Sequence, residues 1–395
     1  MCEKNKLYQK KQLLTGQAVI LAAGRGIRTY PLTLTKPKPL LKVAGKTILE
    51  YSLDNLTSLV EEVIIVVGYK KEMIQKAIGS NYKGLKIKYV FQKKLSGTGD
   101  AIQKAIPHLK NKFLLLNGDD LYEQEDIKQC LKKYPCILLK QVKNPENYGQ
   151  VKIKNNQVKK LVEKPKKRIS NLVNTGLYVL DKSIFDLKIK KSVRNEYEIT
   201  DYIKNIIENE KLYFHKNKSW IPVSYSWNLL DANEYLLKNY YTKNKVIIGK
   251  GTIIESGANI QGPILIGQNC FIGANSYIKK FTSIGDNCAI GQAVEIENTV
   301  IGDNNNIGDL TSIKDSVVGD NCKIGAGTIF TNFRDDGQTI KSVIAGKIID
   351  TKRQRLGAIV GDGVRIGINS LIMPGKKIWA GKTIKPNQTI KKDII

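Results

Sequence analysis

I-G-K-G-T-I-I-E-S-G-A-N-I-Q-G-P-I-L-I-G-Q-N-C-F-I-G-A-N-S-Y-I-K-K-F-T-S-I-G-D-N-C-A-I-G-Q-A-V-E-I, residues 248–296, places isoleucine at 248, 254, 260, 266, 272, 278, 284, 290 and 296. In a chain that is 42% hydrophobic, nine apolar residues in succession at one spacing arise by chance about once in a few thousand trials. The period resumes at Ile301, Ile307, Ile313, Val318 and Ile324, then returns after an interruption at Val360, Ile366, Ile372, Ile378, Ile384 and Ile390. Glycine follows many of these positions, and 21 of the 33 glycines lie beyond Lys245. Three short strands per coil, each with one aliphatic residue inward and a glycine near a corner, stack into a triangular prism, a β-solenoid. The break over 332–357 carries charges where isoleucine should stand. It is expected to be an expelled loop, and such loops in repeat folds commonly sit at a site.

Upstream of the repeat the text changes rhythm. From Gln17 to about Tyr240 short apolar runs alternate with amphipathic stretches: strand Val63 to Val67, helix Lys70 to Ile78, strand Ile87 to Phe91, helix Thr98 to Ile106, strand Phe113 to Leu116. That alternation predicts βαβ units and a mostly parallel, Rossmann-like sheet covered by helices, with ligands at the carboxyl ends of the strands. We therefore divide the chain into a basic N-terminal extension (1–16), an α/β domain (17–240) and a repeat domain (241–395).

Composition narrows the function classes. The net charge is +28, but the lysines are spread along the chain and no nucleic-acid motif accompanies them; phosphorylated small substrates are also anions, and compositional drift toward a Lys-, Ile- and Asn-rich surface is read as the source of most of the excess charge. No run approaches about 18 apolar residues and the first seventeen are polar and Lys-rich, which predicts neither a membrane span nor a signal peptide and places the protein in the cytoplasm. Six cysteines without a Cys-x-x-Cys spacing, and only two histidines, His108 and His215, argue against zinc. Cys270, Cys288 and Cys322 fall at similar places in the repeat and are expected to be buried thiols.

Within the α/β domain, residues 19–46 read V-I-L-A-A-G-R-G-I-R-T-Y-P-L-T-L-T-K-P-K-P-L-L-K-V-A-G-K. The apolar run Val19 to Ala23 breaks into a glycine turn at Gly24 and Gly26, whose backbone N–H groups can face a phosphate. Arg28, Lys36 and Lys38 follow in one loop, and Pro37 and Pro39 are expected to hold the lysines in extended backbone, a cradle for a polyanion. The third glycine of the dinucleotide fingerprint is absent and no Gly-Lys-Ser/Thr closes the loop, so neither the Rossmann dinucleotide nor the Walker pattern applies. After Phe91, Gln92 carries an amide donor and acceptor suited to the edge of uracil or thymine, and Gly97 and Thr98 let a base lie against backbone; the alternative is a plain helix cap at Thr98. Asp119 and Asp120 put two carboxylates at the mouth of the sheet, where they suit Mg²⁺ or form a solvated turn.

The string from Leu21 to Leu40 resembles the signature of sugar-1-phosphate nucleotidylyltransferases, L-A-A-G-x-G-T-R followed by K-P-K-P-L, with Ile27 where the family has threonine. The resemblance implies nucleotide contacts at Ala22, Ala23, Gly24, Gly26, Gln92, Gly97 and Thr98, catalytic cations at Arg28 and Lys38, and a Mg²⁺ ligand at Asp119. It continues through N-Y-G-Q (147–150), E-K-P (163–165) and N-T-G (174–176), implying sugar contacts at Gly149, Glu163 and Asn174, with Tyr148 read as packing. The string R-N-E-Y-E-I-T-D, 194–201, also matches, and Thr200 and Asp201 are expected to cap the following helix. Asn228 fits an amide variant of the second metal ligand, while Asp231 fits by charge three residues late.

The repeat domain resembles the left-handed β-helix of hexapeptide acyltransferases, which implies homotrimers with acetyl-CoA bound between neighbours. G-A-G-T-I-F-T-N-F-R-D-D (325–336) and R-Q-R-L-G-A-I-V-G-D (353–362) are similar to the acetyltransferase half of the archaeal bifunctional enzymes that make UDP-N-acetylglucosamine, and Asn332 and Arg355 map to substrate-contacting positions. That family's catalytic histidine is replaced by Asp309 and its tyrosine by Ser312, and no histidine follows His215. A carboxylate serves as base there only if burial raises its pKa by several units. Together the resemblances imply joining of UTP to N-acetylglucosamine 1-phosphate with release of pyrophosphate. The alternatives are dTTP with glucose 1-phosphate, GTP with mannose 1-phosphate, or a non-catalytic regulatory relative.

Overall fold

The computed structural model describes residues 16–395 apart from 188, 193–194, 218 and 242–244. The N-terminal extension, Gly16 aside, and Arg194 lie outside the described residues. The chain forms two compact units that do not follow its order. One takes the chain up to Gly24 and Leu49–Trp220, the other Arg25–Ile48 and Ile221–Ile395.

The first unit is the expected sheet. Its strands are β1 (Gln17–Ala22), β2 (Glu62–Val67), β3 (Leu85–Phe91), β4 (Lys112–Asn117), β5 (Cys136–Gln141), β6 (Gly149–Lys154), β7 (Gln157–Glu163), β8 (Leu172–Asp181) and β9 (Tyr213–Lys216). The order β4–β1–β2–β3 is parallel throughout. Beyond β4 the sheet turns antiparallel through β8 to β6 and β7. The central strands are apolar on both faces, with Val19, Ile64 and Leu115 on one and Ile20, Ile65 and Leu114 on the other all 0% exposed, as a sheet covered on both sides requires. The helices include α1 (Ile48–Leu56), α2 (Lys71–Ile78), α3 (Thr98–Ala105), α4 (Gln124–Leu131) and α5 (Ile199–Asn209). Thr200 and Asp201 do not cap α5 as expected. Glu198, extended, precedes the helix, and the Thr200 hydroxyl donates to its carboxylate at 3.3 Å.

The second unit contains the prism, three parallel sheets of seven strands each, consistent with a left-handed β-helix. The period of six becomes three vertical ladders. Ile248, Ile266, Ile284, Ile301, Val318, Val360 and Ile378 pair in register, and the other two faces repeat the pattern from Ile254 to Ile384 and from Ile260 to Ile390. Phe330 replaces an aliphatic rung in the third. The steps of five, 296–301 and 313–318, are absorbed at corners where Asn298 (φ 46°) and Asp315 (φ 47°) turn left-handed.

The glycines of the prism play two parts, some at corners as expected and others between coils. Left-handed corners are held by asparagine, as at Asn269, Asn287, Asn304 and Asn321 (φ 53°, 56°, 57° and 58°), whose short side chain tolerates that backbone, and by glycine, as at Gly251, Gly257 and Gly363 (φ 78°, 77° and 70°). A glycine after isoleucine serves coil stacking instead: a Cβ on Gly267 would sit 2.6 Å from the Gly285 carbonyl carbon and oxygen. Thiols complete the turns. Buried Cys270, Cys288 and Cys322 donate to the carbonyls of Gly285, Gly302 and Gly361 at 3.1, 3.2 and 3.2 Å. Ile290 is 0% exposed, so Ile290→Val is expected to cost about 1 kcal/mol, read from the urea midpoint.

The interruption folds as an antiparallel hairpin, Lys341–Ile344 with Lys347–Asp350. Helix α6 (Asn228–Asn239) also belongs to this unit. It buries Leu229, Leu230, Leu236 and Leu237, and Asn233 accepts from the Ala44 N–H at 3.0 Å and donates to the Phe281 carbonyl at 2.8 Å. Both bonds tie the helix to other parts of the same unit. Among the described residues no helix is long and apolar enough to cross a membrane.

Candidate active site

In the first unit the expected residues gather at the carboxyl ends of β1 and β4. A Cβ on Gly118 would lie 2.9 Å from the Leu21 carbonyl and 3.2 Å from the Ala22 Cβ, so the chain leaves β4 hard against the β1 end, with half-buried Asp119 and buried Asp120 next. Asp120 accepts from Asn117 Nδ2 at 3.3 Å. Nearby, the Tyr122 hydroxyl donates to the Thr175 carbonyl at 2.8 Å, and burial, then the charges of Asp120 and Asp119, raise its pKa far above the ordinary phenol range.

The three expected sugar residues are brought together. Gly149 and Glu163 are register partners across β6 and β7. A Cβ at Gly149 would come within 2.8 Å of Glu163 Oε2 and 3.6 Å of the Asn174 Cβ. Asn174 is fixed from both ends, its Oδ1 accepting from the Gly176 N–H at 2.9 Å and its Nδ2 donating to the Tyr178 hydroxyl at 2.6 Å. Gly176 (φ 80°) has no room for a side chain, since Asn117 Nδ2 stands 2.1 Å from where a Cβ would be. Tyr148 packs edge-on to Trp220 with ring centroids 5.3 Å apart.

Around the expected base-binding loop, Gln92 is buried. Its Nε2 donates to the Gly97 carbonyl at 3.1 Å and to Asp100 Oδ2 at 2.7 Å. Both amide hydrogens therefore brace residues 92–100, and Oε1 is the atom left to meet a base N–H. Gly97 (φ 106°) precedes α3, and a Cβ there would meet the Tyr197 carbonyl at 2.3 Å. Thr98 is the first residue of α3 rather than its cap, and its hydroxyl accepts from the Ile199 N–H at 3.1 Å.

In the second unit, Gly26 (φ 65°, ψ 36°) starts a short 3₁₀ turn, Ile27–Thr29. Its carbonyl accepts from the Thr29 N–H at 2.9 Å and from the hydroxyls of Thr29 and Thr33 at 2.6 and 2.7 Å. These two buried threonines lock the turn and went unremarked in the sequence. A Cβ on Gly26 would lie 3.2 Å from the Lys38 Cβ, so the buried lysine packs on the glycine corner. Pro37 is extended (φ −70°, ψ 148°), but Lys38 opens a 3₁₀ turn, Lys38–Leu40. The expectation that both prolines keep the lysines extended is thus corrected, since the local i→i+3 bonds of Leu40 and Leu41 outweigh the bias of Pro39. Arg28 is exposed, its guanidinium 5.7 Å from the Tyr225 ring centroid, and Tyr225 stacks on Trp227. Ile27 is 49% exposed. Lys36 is not aimed at a ligand: it pairs with Asp320 and Asp362.

Asn228 lies at the start of α6. Its Oδ1 accepts from the Tyr225 N–H at 2.9 Å and its Nδ2 donates to Asp231 Oδ2 at 3.1 Å, leaving one lone pair on Oδ1. Asp231 is paired with Arg353. Among the described residues no three acidic, histidine or cysteine side chains are grouped to hold a metal. The donor set at Asp119 and Asp120 still fits Mg²⁺, which takes one or two carboxylates when phosphates supply the remaining oxygens.

On the prism, Asn332 and Arg355 are brought together. Phe333 and Arg355 bridge their backbones, with the guanidinium 5.9 Å from the ring centroid, and Asn332 Nδ2 donates to the buried Asp315 carboxylate at 2.5 Å. Asp309 is held at another corner. It is exposed, and its Oδ1 accepts from the Gln292 N–H at 2.8 Å. The burial a carboxylate base needs is absent from this chain's own surroundings of Asp309.

Residues 17–239 match the family described as nucleotidyl transferase, and residues 260–395 match a GMPPB C-terminal domain. The bifunctional protein GlmU of Methanococcus maripaludis is 40% identical over 395 residues, covering 95% of each chain. A bifunctional sugar-1-phosphate nucleotidylyltransferase/acetyltransferase of Sulfurisphaera tokodaii is 34% identical over 400 residues, covering 96% of this chain and 98% of the other. A solved UDP-glucose pyrophosphorylase in complex with UDP-glucose superposes with a TM-score of 0.51 at 23% identity, covering 55% of this chain and 96% of that one, a likeness of fold. The chain is an enzyme of the nucleotidyltransferase class and belongs to the family of bifunctional sugar-1-phosphate nucleotidylyltransferases/acetyltransferases.

Proposed function

We propose that this enzyme joins UTP to N-acetylglucosamine 1-phosphate, giving UDP-N-acetylglucosamine and pyrophosphate. The observation that carries the reading is the convergence of Gly149, Glu163 and Asn174, a preset polar group suited to an uncharged sugar, in the unit where Asp119 ends its strand. The sugar phosphate attacks the α-phosphorus in line, the new P–O bond forming as pyrophosphate departs. Lys38 and Arg28 offset the charge that develops, and no protein nucleophile is needed. Bound Mg²⁺, with Asp119 as ligand and Asn228 a further candidate, supplies charge neutralisation of the phosphates. Gln92 Oε1 suits the N3–H of uracil. Pyrophosphate release across UTP, dTTP and GTP with N-acetylglucosamine, glucose and mannose 1-phosphates tests this. The UTP pair is expected to lead, a lead by another pair reassigns the substrates, and no release with any pair overturns the reading.

The prism, on this proposal, is a trimerising scaffold that no longer transfers acetyl groups. Asp309 supports the view because it bonds a neighbouring backbone N–H as an ordinary corner residue. No thiol release from acetyl-CoA with glucosamine 1-phosphate is expected, and steady release refutes it.

A further inference from the structure

Aliphatic–Gly–Asp recurs at 284–286, 301–303, 318–320 and 360–362, one triplet per coil on one corner of the prism. Each aspartate uses Oδ1 to accept a backbone N–H from the coil before it: Gln268 to Asp286 at 2.7 Å, Asp286 to Asp303 at 3.0 Å, Asp303 to Asp320 at 2.9 Å and Asp320 to Asp362 at 2.8 Å. The carboxylates are thereby fixed in advance. The remaining oxygens of three of them take the loop that follows the glycine turn. Asp303 Oδ2 pairs with Lys42 at 2.5 Å. Asp320 and Asp362 both pair with Lys36, the second at 3.1 Å, and Asp362 also accepts from the Thr35 hydroxyl at 2.6 Å. The loop is otherwise closely seated, since the cavity between it and the coils is about 60 Å³, too small for any nucleotide.

Exposed ion pairs usually contribute little, but this one differs in two respects. The side chains of Lys36, Asp320 and Asp362 are only 15%, 26% and 14% exposed, and two of the three are immobilised by the coils before the lysine arrives. Burial alone would lower the lysine's pKa, yet the two carboxylates outweigh it and the net shift is upward. From Lys36 to Lys38 the chain has a single residue, Pro37, whose ring fixes φ.

We propose that Asp320 and Asp362 are positioning residues for nucleotidyl transfer: by gripping Lys36 they set, through Pro37, the place of Lys38, so that the prism serves the first reaction. This rests on the role given to Lys38 under the proposed function. A displacement of about 1 Å at a charged group is enough to lose up to about a hundredfold in rate.

The test is steady-state pyrophosphate release by the full-length chain from UTP and N-acetylglucosamine 1-phosphate, or whichever pair the panel selects. An inactive parent removes the functional reading and this inference with it. With an active parent, Lys36→Met and the pair Asp320→Asn/Asp362→Asn are each expected to lower kcat about ten- to a hundredfold while both KM values move less than about threefold. Lys36→Arg, whose fork can span two carboxylates, is expected to recover most of that loss. Adding Lys36→Met to Lys38→Ala should cost less than about twofold more, because the first acts through the second. Unchanged kcat in folded Lys36→Met, or losses that multiply in the double variant, overturns the inference and leaves the functional reading standing.

Discussion

Lys38→Ala is expected to lower kcat for pyrophosphate release by about a thousandfold, about 4 kcal/mol of transition-state stabilisation, with the fold intact. Lys38 is 5% exposed, an unusual degree of burial for a residue type that normally stays in water. It follows an extended proline and packs on a left-handed glycine whose carbonyl holds three donors. A cation kept in such a place acts on a phosphate at a lower effective dielectric than a surface lysine does. The loss should fall on kcat rather than KM, because charge on the α-phosphoryl oxygens builds during transfer. Lys38→Arg is not expected to restore the rate, since a planar guanidinium does not reproduce the compact point charge of an ammonium at a position that is 5% exposed. Retention of a tenth or more of the kcat by the alanine variant would remove Lys38 from the chemistry.

What could be read in advance followed from periodicity. The strand expected over Val63 to Val67 is Glu62–Val67, the helix expected over Lys70 to Ile78 is Lys71–Ile78, and the isoleucines at a spacing of six are the inward rungs of all three faces, apart from Ile248 in the first coil, which is 47% exposed. All three are local patterns of apolar residues. The grip on Lys36 was illegible for the opposite reason. It joins positions 284 residues apart, and a lysine before a proline carries no mark of whether it faces a ligand or a carboxylate. A signal for its partners did exist. The aliphatic–Gly–Asp triplet recurs coil after coil on one corner, and it appears once on another, at Ile307-Gly308-Asp309. There Asp309 bonds a backbone N–H of the preceding coil in the same way as the other four. The buried threonines of the glycine turn were hidden too, because a hydroxyl that closes a turn and one that meets solvent look alike in sequence.

The two carboxylates at the end of β4 should separate under the same substitution. Asp119→Asn is expected to reduce kcat by about a hundred- to a thousandfold and to raise the Mg²⁺ concentration needed for half-maximal rate, since an amide is a weaker ligand for a hard cation than a carboxylate. Asp120→Asn should instead appear in the urea midpoint. The difference follows from how each residue is held. Asp120 is 6% exposed and takes the Asn117 amide, and Asn117 in turn fills the space that Gly176 leaves beside the Asn174 bulge, so its loss loosens the strand end. Asp119 is half-buried at the last step of a chain pinned by Gly118 against the β1 carbonyl, which sets a carboxylate at the mouth of the sheet. Titration of rate against Mg²⁺ in both variants, with the parent stripped by a chelator as reference, decides the point. An equal shift in Mg²⁺ dependence for the two would mean that they bind the ion as a pair, while no shift for Asp119→Asn would mean that this strand end holds no metal.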